Sequence, residues 1–274
     1  MTQAEFEQCL HIEENGDVIA LFNGLVFRSV YQPIFRADQT VLGFEALLRA
    51  TNEDGETVCP AHIFRNLDRG HPDYYKQISI DKLARVIHLR NFSRCAGTYS
   101  IFLNMLPSSA VASIANFSSQ KLMLKRLKEI GIPRRHVVLE VVEHLHDDPL
   151  SLSVAAEQSI SSGFKIAVDD YGVEGSKESR VRMINPNVLK IDRSMLERYM
   201  TGETTPLMEA ITLANEVNAK VLVEGIENLD EYNAMRLLNV DYYQGYFLGM
   251  PQSIEAFFSH PQDFITIPQM AEVL

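Results

Sequence analysis

Short apolar runs that end in a carboxylate or an amide recur along the chain. Two of them read Val137-Val138-Leu139-Glu140 and Ile166-Ala167-Val168-Asp169-Asp170. Continuous β-branched runs are typical of strands buried on both faces, as in a parallel sheet. Three further runs of this kind end at Glu45, Asn104 and Glu224. Five polar ends indicate strands that converge on one cation-binding site, whereas a single acid at a strand end is usually only a solvated cap.

Strand-like and helix-like segments alternate through most of the sequence. The strand candidates are residues 26–35, 41–49, 99–106, 136–143, 165–171, 188–192, 220–226 and 242–248. Helical patterns lie between them, for example at residues 81–91, 118–130, 149–162 and 206–218. This alternation is typical of an α/β protein with a mainly parallel sheet.

The spacing of the eight strand candidates predicts how they connect. Only residues 36–40 separate the first two, which is too few for a parallel crossover, so these strands should form a hairpin. The other strands are spaced for βα units. We therefore predict one α/β domain over residues 26–258, a modified (β/α)8 TIM-like barrel whose first strand is antiparallel and whose site lies at the C-terminal strand ends. Residues 1–25 should form an N-terminal helical extension, and residues 259–274 a C-terminal tail packed on the domain.

Composition and charge narrow the class of protein. The 274 residues are 46% hydrophobic and 22% charged, as in an ordinary globular enzyme, and the formal net charge is −11. An acidic chain without a basic stripe is a poor general binder of nucleic acid polymers. No apolar run reaches the roughly 18 residues that span a bilayer, and residues 1–14 lack the basic region of a signal peptide. We expect a cytoplasmic protein without membrane contact.

The cysteines support the same location. Cys9, Cys59 and Cys95 are odd in number, widely spaced and outside any metal-binding or redox spacing. Such residues indicate reduced thiols in a cytosolic protein.

The polar strand ends carry the candidate chemistry. Hard oxygen donors that suit Mg²⁺ or Mn²⁺ are offered by Glu45, Asn104, Glu140, Asp169, Asp170 and Glu224. Neighbouring residues of a strand point to opposite faces, so the pair Asp169-Asp170 can serve one site only if the strand ends there. One aspartate of the pair could then bridge two cations. Two such cations clamp the attacking and leaving oxygens of a displacement at phosphorus.

Lys190 lies within the otherwise apolar candidate strand 188–192. A buried lysine is costly unless it is paired with an acid. Beside the carboxylates it would be charged, and it would orient a water molecule or stabilise charge on a phosphate. The alternative is that its side chain reaches solvent from a short strand.

The pentapeptide Glu45-Ala46-Leu47-Leu48-Arg49 resembles the signature of the EAL domain family, the phosphodiesterases that linearise cyclic di-GMP. Further family-like motifs follow or flank it in order: Gln32-Pro33-Ile34, Asn104, Leu139-Glu140-Val141-Val142-Glu143, Asp169-Asp170-Tyr171-Gly172, Leu189-Lys190-Ile191-Asp192, Val223-Glu224-Gly225-Ile226-Glu227 and Gln244-Gly245-Tyr246. The resemblance extends over about residues 26–258, and eight motifs together are far more specific than the pentapeptide alone.

The resemblance implies a role for each matching residue. Two divalent cations, Mg²⁺ or Mn²⁺, would be held by Glu45, Asn104, Glu140 and Asp169 at the first position and by Asp169, Asp170 and Glu224 at the second. Glu45, Lys190, Glu224 and Gln244 would form the catalytic group around the attacking water. The substrate would contact Gln32, Leu48, Arg49, Glu227 and Pro251, with Arg49 on a phosphate. Glu143 would brace a neighbouring loop.

The implied function is metal-dependent hydrolysis of cyclic di-GMP to linear pGpG, with a homodimer and a regulatory protein partner as expected assemblies. The loop after Asp170 departs from the family pattern, because Val173 and Glu174 replace a Thr-Gly pair. This change leaves open a catalytically weak or inactive domain that serves as a cyclic di-GMP receptor or protein-interaction module. A third alternative, from fold analogy alone, is another metal-dependent barrel enzyme such as an enolase-type lyase that uses Lys190 as a base.

Overall fold

The computed structural model describes residues 3–65, 70–95, 98–110, 117–141, 149–173 and 178–259. Its strands are β1 (Leu10–Ile12), β2 (Val18–Phe22), β3 (Leu25–Arg36), β4 (Val41–Asn52), β5 (Thr57–Val58), β6 (Ser100–Met105), β7 (Val137–Val141), β8 (Lys165–Tyr171), β9 (Val188–Ile191), β10 (Lys220–Val223) and β11 (Tyr242–Tyr243). Its α-helices are α1 (Gln3–Gln8), α2 (Pro60–Ile63), α3 (Tyr74–Phe92), α4 (Phe117–Glu129), α5 (Pro149–Ser161), α6 (Glu178–Ile184), α7 (Arg193–Met200), α8 (Thr205–Glu216), α9 (Leu229–Leu237) and α10 (Ile254–Ser259).

Eight strands close into a barrel in the order β3-β4-β6-β7-β8-β9-β10-β11. All neighbouring pairs from β4 to β11 are parallel, whereas β3 is antiparallel to both β4 and β11 and thereby closes the ring. The predicted modified (β/α)8 barrel with an antiparallel first strand is confirmed, and so is the hairpin that joins its first two strands.

The barrel strands are buried on both faces, which explains their continuous apolar runs. Inside the barrel one layer consists of Ile34, Leu42, Phe102, Val138, Ala167, Val188 and Leu222. A larger apolar core separates the outer face of the strands from the surrounding helices, for example at Leu103, Leu139 and Val168. Since both faces exclude water, a polar side chain in one of these strands needs a specific partner.

The strands β3 and β4 are much longer than the barrel requires. Beyond the barrel their residues 25–30 and 47–52 continue as a two-stranded ribbon, which pairs with β2 on one side and β5 on the other. Helix α3 packs on this ribbon through a small separate core that contains Phe27, Ala50, Leu83 and Ile87. The ribbon is thus a rigid projection of the barrel wall.

The prediction that residues 1–25 form a helix is wrong. Only α1 is helical there, and β1 and β2 follow as an antiparallel hairpin that joins the ribbon. The reason is a local turn: the Asn15 side chain accepts a hydrogen bond from the Asp17 backbone N–H, and Gly16 adopts φ +85°. Residues 10–12 and 18–22 are therefore part of the sheet. The predicted packing of the tail 259–274 concerns residues outside the described ranges, apart from Ser259 at the end of α10.

The last two predicted strands are also shorter than expected. Strand β10 ends at Val223 and β11 at Tyr243, because the chain turns at Gly225, which has φ +71°, and crosses closely at Gly245. In the described part of the chain no helix combines the length and the apolar character that crossing a bilayer would require.

Candidate active site

A polar layer lies directly above the apolar layer inside the barrel. Because side chains on one face of a strand recur every second residue, each inward apolar residue is followed two positions later by an inward polar one. The pairs are Phe102 and Asn104, Val138 and Glu140, Ala167 and Asp169, Val188 and Lys190, and Leu222 and Glu224. The polar members all lie at the C-terminal ends of their strands, where barrel enzymes place their sites.

Lys190 is the centre of this polar layer. Its Nζ lies 2.7 Å from Glu140 Oε1, 2.7 Å from Asp169 Oδ1, 2.9 Å from Glu224 Oε1 and 3.7 Å from Glu45 Oε1. The lysine side chain is only 1% exposed, and its four partners come from four different strands or strand ends. The alternative that Lys190 escapes to solvent is therefore wrong, and the structure brings together the residues that the strand-end pattern singled out.

Two side-chain amides hydrogen-bond to Glu45, the residue that β4 contributes to the polar layer. The Gln244 amide donates to Glu45 Oε2 at 2.7 Å, and the Asn104 amide donates to Glu45 Oε1 at 3.2 Å. Glu45 and Gln244 are both buried. These hydrogen bonds fix the Glu45 carboxylate so that both of its oxygens face the polar layer.

The neighbouring acids Asp169 and Asp170 reach one site because strand β8 is irregular there. The register between β8 and β9 shifts between Val168 and Tyr171, and Asp170 adopts φ +53°. The sequence required the strand to end at this pair, but β8 continues to Tyr171. The left-handed Asp170 instead breaks the strict alternation of faces within the strand, so both acids can reach one site. One carboxylate oxygen from each of Asp169, Asp170 and Glu224 lies within 4.8 Å of the others.

Burial and like charge shift the pKa of several acids in the cluster. Burial raises the pKa of Glu224 to about 8, with Lys190 opposing the rise and Asp169 adding to it. Burial, and then the charge of Asp169, raises the pKa of Asp170 to about 6. Burial likewise raises the pKa of Glu140 well above its ordinary value. These three acids therefore favour the protonated form more than free carboxyl groups do.

Burial alone would lower the pKa of Lys190, but the charges of Asp169 and Glu140, followed by Glu224 and Glu45, hold it well above its ordinary value. The lysine is therefore a permanent cation at neutral pH. It balances only one of the surrounding negative charges.

The donor set fits divalent cations. Glu140 Oε2 is fully buried and accepts no hydrogen bond from any residue in the described ranges, so its lone pairs face the polar layer without a donor. Oxygen donors from carboxylates and an amide are the ligands that Mg²⁺ and Mn²⁺ prefer, and a bound cation would relieve the repulsion that raises the acid pKa values.

The residues assigned to the substrate are spread over β3, the ribbon and the segment after Gly249. Gln32 pairs with Glu45 across β3 and β4, and its amide donates to the Gly249 carbonyl at 3.3 Å. Leu48 packs against the core beneath the ribbon, and Arg49 is exposed on the ribbon. Pro251 is half-buried next to Gln252, which bridges to β3.

The remaining assigned residues are less central. Glu227 lies in the segment after β10, where its carboxylate is 3.0 Å from the Arg193 guanidinium. Glu143, together with Glu174 in the altered loop, lies outside the described residues. Arg193 itself was not among the predicted residues, because a charged residue directly after a strand normally indicates only a solvated helix start.

Comparisons with known proteins agree with this geometry. A family model described as the EAL domain matches residues 20–251. The chain is 31% identical over 230 residues to the uncharacterized EAL-domain containing protein YkuI of Bacillus subtilis (strain 168), which covers 81% of this chain and 54% of YkuI. The cyclic di-GMP phosphodiesterase PdeF of Escherichia coli (strain K12) is 23% identical over 259 residues, or 88% of this chain and 33% of PdeF.

The solved structures are similar as well. The crystal structure of YkuI in complex with substrate c-di-GMP and calcium matches with a TM-score of 0.70 at 27% identity, covering 86% of this chain and 62% of that chain. The chain thus spans about half the length of YkuI and about a third of PdeF.

Proposed function

Because the chain belongs to the EAL domain family, we propose that it hydrolyses cyclic di-GMP to linear pGpG in a metal-dependent reaction. The observation that carries this proposal is the convergence of Glu45, Glu140, Asp169 and Glu224 on the buried Lys190. This layer has a large excess of negative charge, which favours the binding of a divalent cation. The complex of YkuI with c-di-GMP and calcium supports both the substrate class and a site for a divalent cation.

Two Mg²⁺ or Mn²⁺ ions are the proposed cofactors. Glu45, Asn104, Glu140 and Asp169 would hold the first ion, and Asp169, Asp170 and Glu224 the second, a trio whose carboxylates already lie close together. When bound, the ions would neutralise charge on the phosphodiester and make hydroxide available near neutral pH.

We assign a separate role to each side chain of the site. Lys190 is a fixed cation in the centre of the site, and we assign it the orientation of the attacking water. Gln244 holds the Glu45 carboxylate in place through its 2.7 Å hydrogen bond, and Glu224 shares the lysine with Glu140 and Asp169. Arg49 offers the planar guanidinium that binds a phosphate through two parallel hydrogen bonds. Gln32, Leu48, Glu227 and Pro251 would surround the nucleotide, and Glu143 would brace the adjacent loop.

A protein with a net charge of −11 can bind an anionic substrate if cations are present in the site. The bound cations and Arg49 offset the local negative charge, while the acidic exterior disfavours polymeric nucleic acids. In the described ranges Cys9, Cys59 and Cys95 are free thiols, which supports the proposed cytoplasmic location. We also propose that the protein forms a homodimer and binds a regulatory protein partner.

One assay tests the function directly. The purified chain is incubated with cyclic di-GMP and either Mg²⁺ or Mn²⁺, and pGpG is measured by liquid chromatography with and without a chelator. We expect turnover that the chelator abolishes and that Glu45→Ala reduces by at least about 100-fold, because Glu45 is a ligand and the acceptor for Gln244. Glu209→Ala on the exposed face of α8 is the matched control and should keep full activity.

The opposite results are equally informative. Turnover that survives Glu45→Ala would contradict the ligand assignment. Tight binding of cyclic di-GMP without any pGpG would contradict the enzyme and favour the receptor, the alternative that the altered sequence after Asp170 leaves open.

A further inference from the structure

The catalytic carboxylate of Glu224 lies beyond the end of its strand. Strand β10 ends at Val223, and backbone hydrogen bonds hold Glu224 and Ile226 to the barrel. The Glu224 N–H donates to the Ile191 carbonyl at 3.1 Å, the Ile226 N–H donates to the Gln244 carbonyl at 3.1 Å, and the Ile226 carbonyl accepts from the Phe247 N–H at 3.0 Å. Between them, Gly225 adopts φ +71°. A glycine in this conformation has the greatest backbone freedom of any residue, so the position of Glu224 needs a further restraint.

Arg193 supplies contacts at this point. It is the first residue of α7, just after β9, and its Nη1 donates a short hydrogen bond to the Gly225 carbonyl. The stem of the side chain also packs on Gly225, since a Cβ at that glycine would lie 2.6 Å from Arg193 Cβ. The arginine therefore contacts the residue next to Glu224 from the helix that follows the strand carrying Lys190.

Three carboxylates hold the arginine in turn. Its guanidinium lies 2.8 Å from Glu197, 3.0 Å from Glu227 and 3.7 Å from Glu231. Glu231 is buried and also accepts a hydrogen bond from the Glu227 backbone N–H at 2.7 Å. The start of α9 is thereby tied to the same group, because the Asn228 side chain caps the helix through the Glu231 backbone N–H. Arg193 connects α7, the 224–227 segment and α9.

We propose that Arg193 is a positioning residue that sets where the Glu224 carboxylate lies relative to Lys190 and the other acids. This inference rests on the proposed function only in that the acids are taken as metal ligands. In the described part of the chain, Arg193 makes no hydrogen bond or ion pair with Lys190 or with the acids of the polar layer. It acts through Gly225, and residues that orient metal ligands in this way typically change metal affinity 10- to 100-fold when they are replaced.

The test compares Arg193→Gln and Arg193→Lys with the matched control Arg198→Gln. Arg198 is on the same helix and forms an exposed ion pair with Glu203, away from the 224–227 segment. Binding of Mn²⁺ to the substrate-free protein is measured by electron paramagnetic resonance of the free ion. We expect Arg193→Gln to weaken Mn²⁺ binding by about 10-fold or more, Arg193→Lys to weaken it less, and Arg198→Gln to leave it unchanged.

Turnover separates this inference from the proposed function. In the pGpG assay at limiting Mn²⁺, Arg193→Gln should lower kcat, and saturating Mn²⁺ should recover much of the loss. Wild-type Mn²⁺ binding by a folded Arg193→Gln variant overturns the positioning role. A wild-type chain that binds Mn²⁺ more tightly than Arg193→Gln but makes no pGpG supports the positioning role and contradicts the phosphodiesterase.

Discussion

At the scale of single residues, the site is characterised by an excess of negative charge around one buried lysine. Lys190 is buried among four carboxylates, and an ion this deep is stable only because its partners lie within 2.7–3.7 Å. The same partners repel one another, and burial raises the pKa of Glu224 and Asp170 into the physiological range. Without metal, the protein therefore carries protons on acids that a bound cation would displace.

These shifts predict how the stability of the metal-free protein depends on pH. The ordinary pKa of Glu224 is 4.5, and its folded-state pKa is about 8, so between these values the folded state keeps a proton that the unfolded chain has released. Stability must then fall as the pH rises across that interval. Asp170 adds to the slope below about pH 6. The buried His88 acts in the opposite direction between pH 5 and its ordinary pKa of 6.5, because burial lowers its folded-state pKa to about 3. The acids titrate over a wider interval, so we still expect Tm in a chelator to fall by roughly 5 °C between pH 5 and pH 8, measured by circular dichroism.

Two variants identify the source of the slope. Glu224→Gln removes the titrating group and should flatten the decrease in Tm, while it abolishes turnover. Glu203→Gln, an exposed partner of Arg198, is the matched control and should keep the wild-type slope. A metal-free Tm that rises from pH 5 to pH 8 would contradict the protonation of the buried acids.

The clustered acids, which are the proposed metal ligands, and Lys190 could be predicted from sequence because each follows or interrupts an apolar run. Other features of the site could not. The left-handed conformation of Asp170 depends on the irregular end of β8, and the contact of Arg193 depends on the turn at Gly225. Both features are properties of the backbone geometry. The burial of Glu231 could not be predicted from sequence either, since acids are common in the exposed first turns of helices.

At the scale of elements, the ends of the strands place the functional groups. Gly245 follows Gln244 and crosses the backbone of Ile226, where an added Cβ would overlap the Ile226 nitrogen and oxygen. We expect Gly245→Ala to lower the free energy of unfolding by about 3 kcal/mol and to displace Gln244 from Glu45, with a loss of turnover. Urea denaturation and the pGpG assay measure the two effects.

Gly131→Ala is the control for this substitution. Gly131 has φ +75° but open space around it, so its replacement should cost only about 1 kcal/mol of backbone strain and leave turnover intact. If both variants lose the same stability, the close crossing at Gly245 does not determine the position of Gln244.

Most elements followed from periodicity, and the exceptions have a common physical cause. Strand β8 was predicted at its observed bounds, and helices α4, α5 and α8 within a few residues. The N-terminal residues were misjudged because turns at Gly16 and Asn23-Gly24, all with positive φ, fold them into antiparallel pairs, and the turn at Gly225 shortens β10 in the same way. Apolar periodicity does not mark such turns, although the dipeptides Asn15-Gly16 and Asn23-Gly24 are typical of them.

At the scale of the whole molecule, an exposed apolar surface supports the proposed homodimer. Leu150 and Val154 on α5 are 68% and 44% exposed, and Met183 on the adjacent α6 is 42% exposed. The two helices are in contact, since the Ser153 hydroxyl donates to the Met183 carbonyl at 2.9 Å. We expect the wild-type protein to sediment as a dimer and the double variant Leu150→Asp, Val154→Asp to sediment as a monomer.

The control for the dimer is Leu237→Asp. Leu237 on α9 is even more exposed, at 83%, but it lies on a different helix. A wild-type monomer, or dissociation by Leu237→Asp alone, would show that the α5–α6 surface is not the interface.

The barrel as a whole could be predicted because its closure follows from a few spacings. The short 36–40 connection required an antiparallel pair, and the remaining connections required parallel units. Its outer ribbon could not be predicted, because nothing in the sequence indicates where β3 and β4 leave the barrel wall.

That ribbon has a mechanical consequence. Arg49 lies on the projecting half of β4, outside the ring that holds Glu45, whereas all the proposed metal ligands belong to the closed barrel. Displacement of the ribbon, for example through β1 or β2, would therefore shift Arg49 relative to Glu45. Under the proposed function, such a shift would change the contact with the substrate phosphate and leave the pairing of the barrel strands that carry the acids intact.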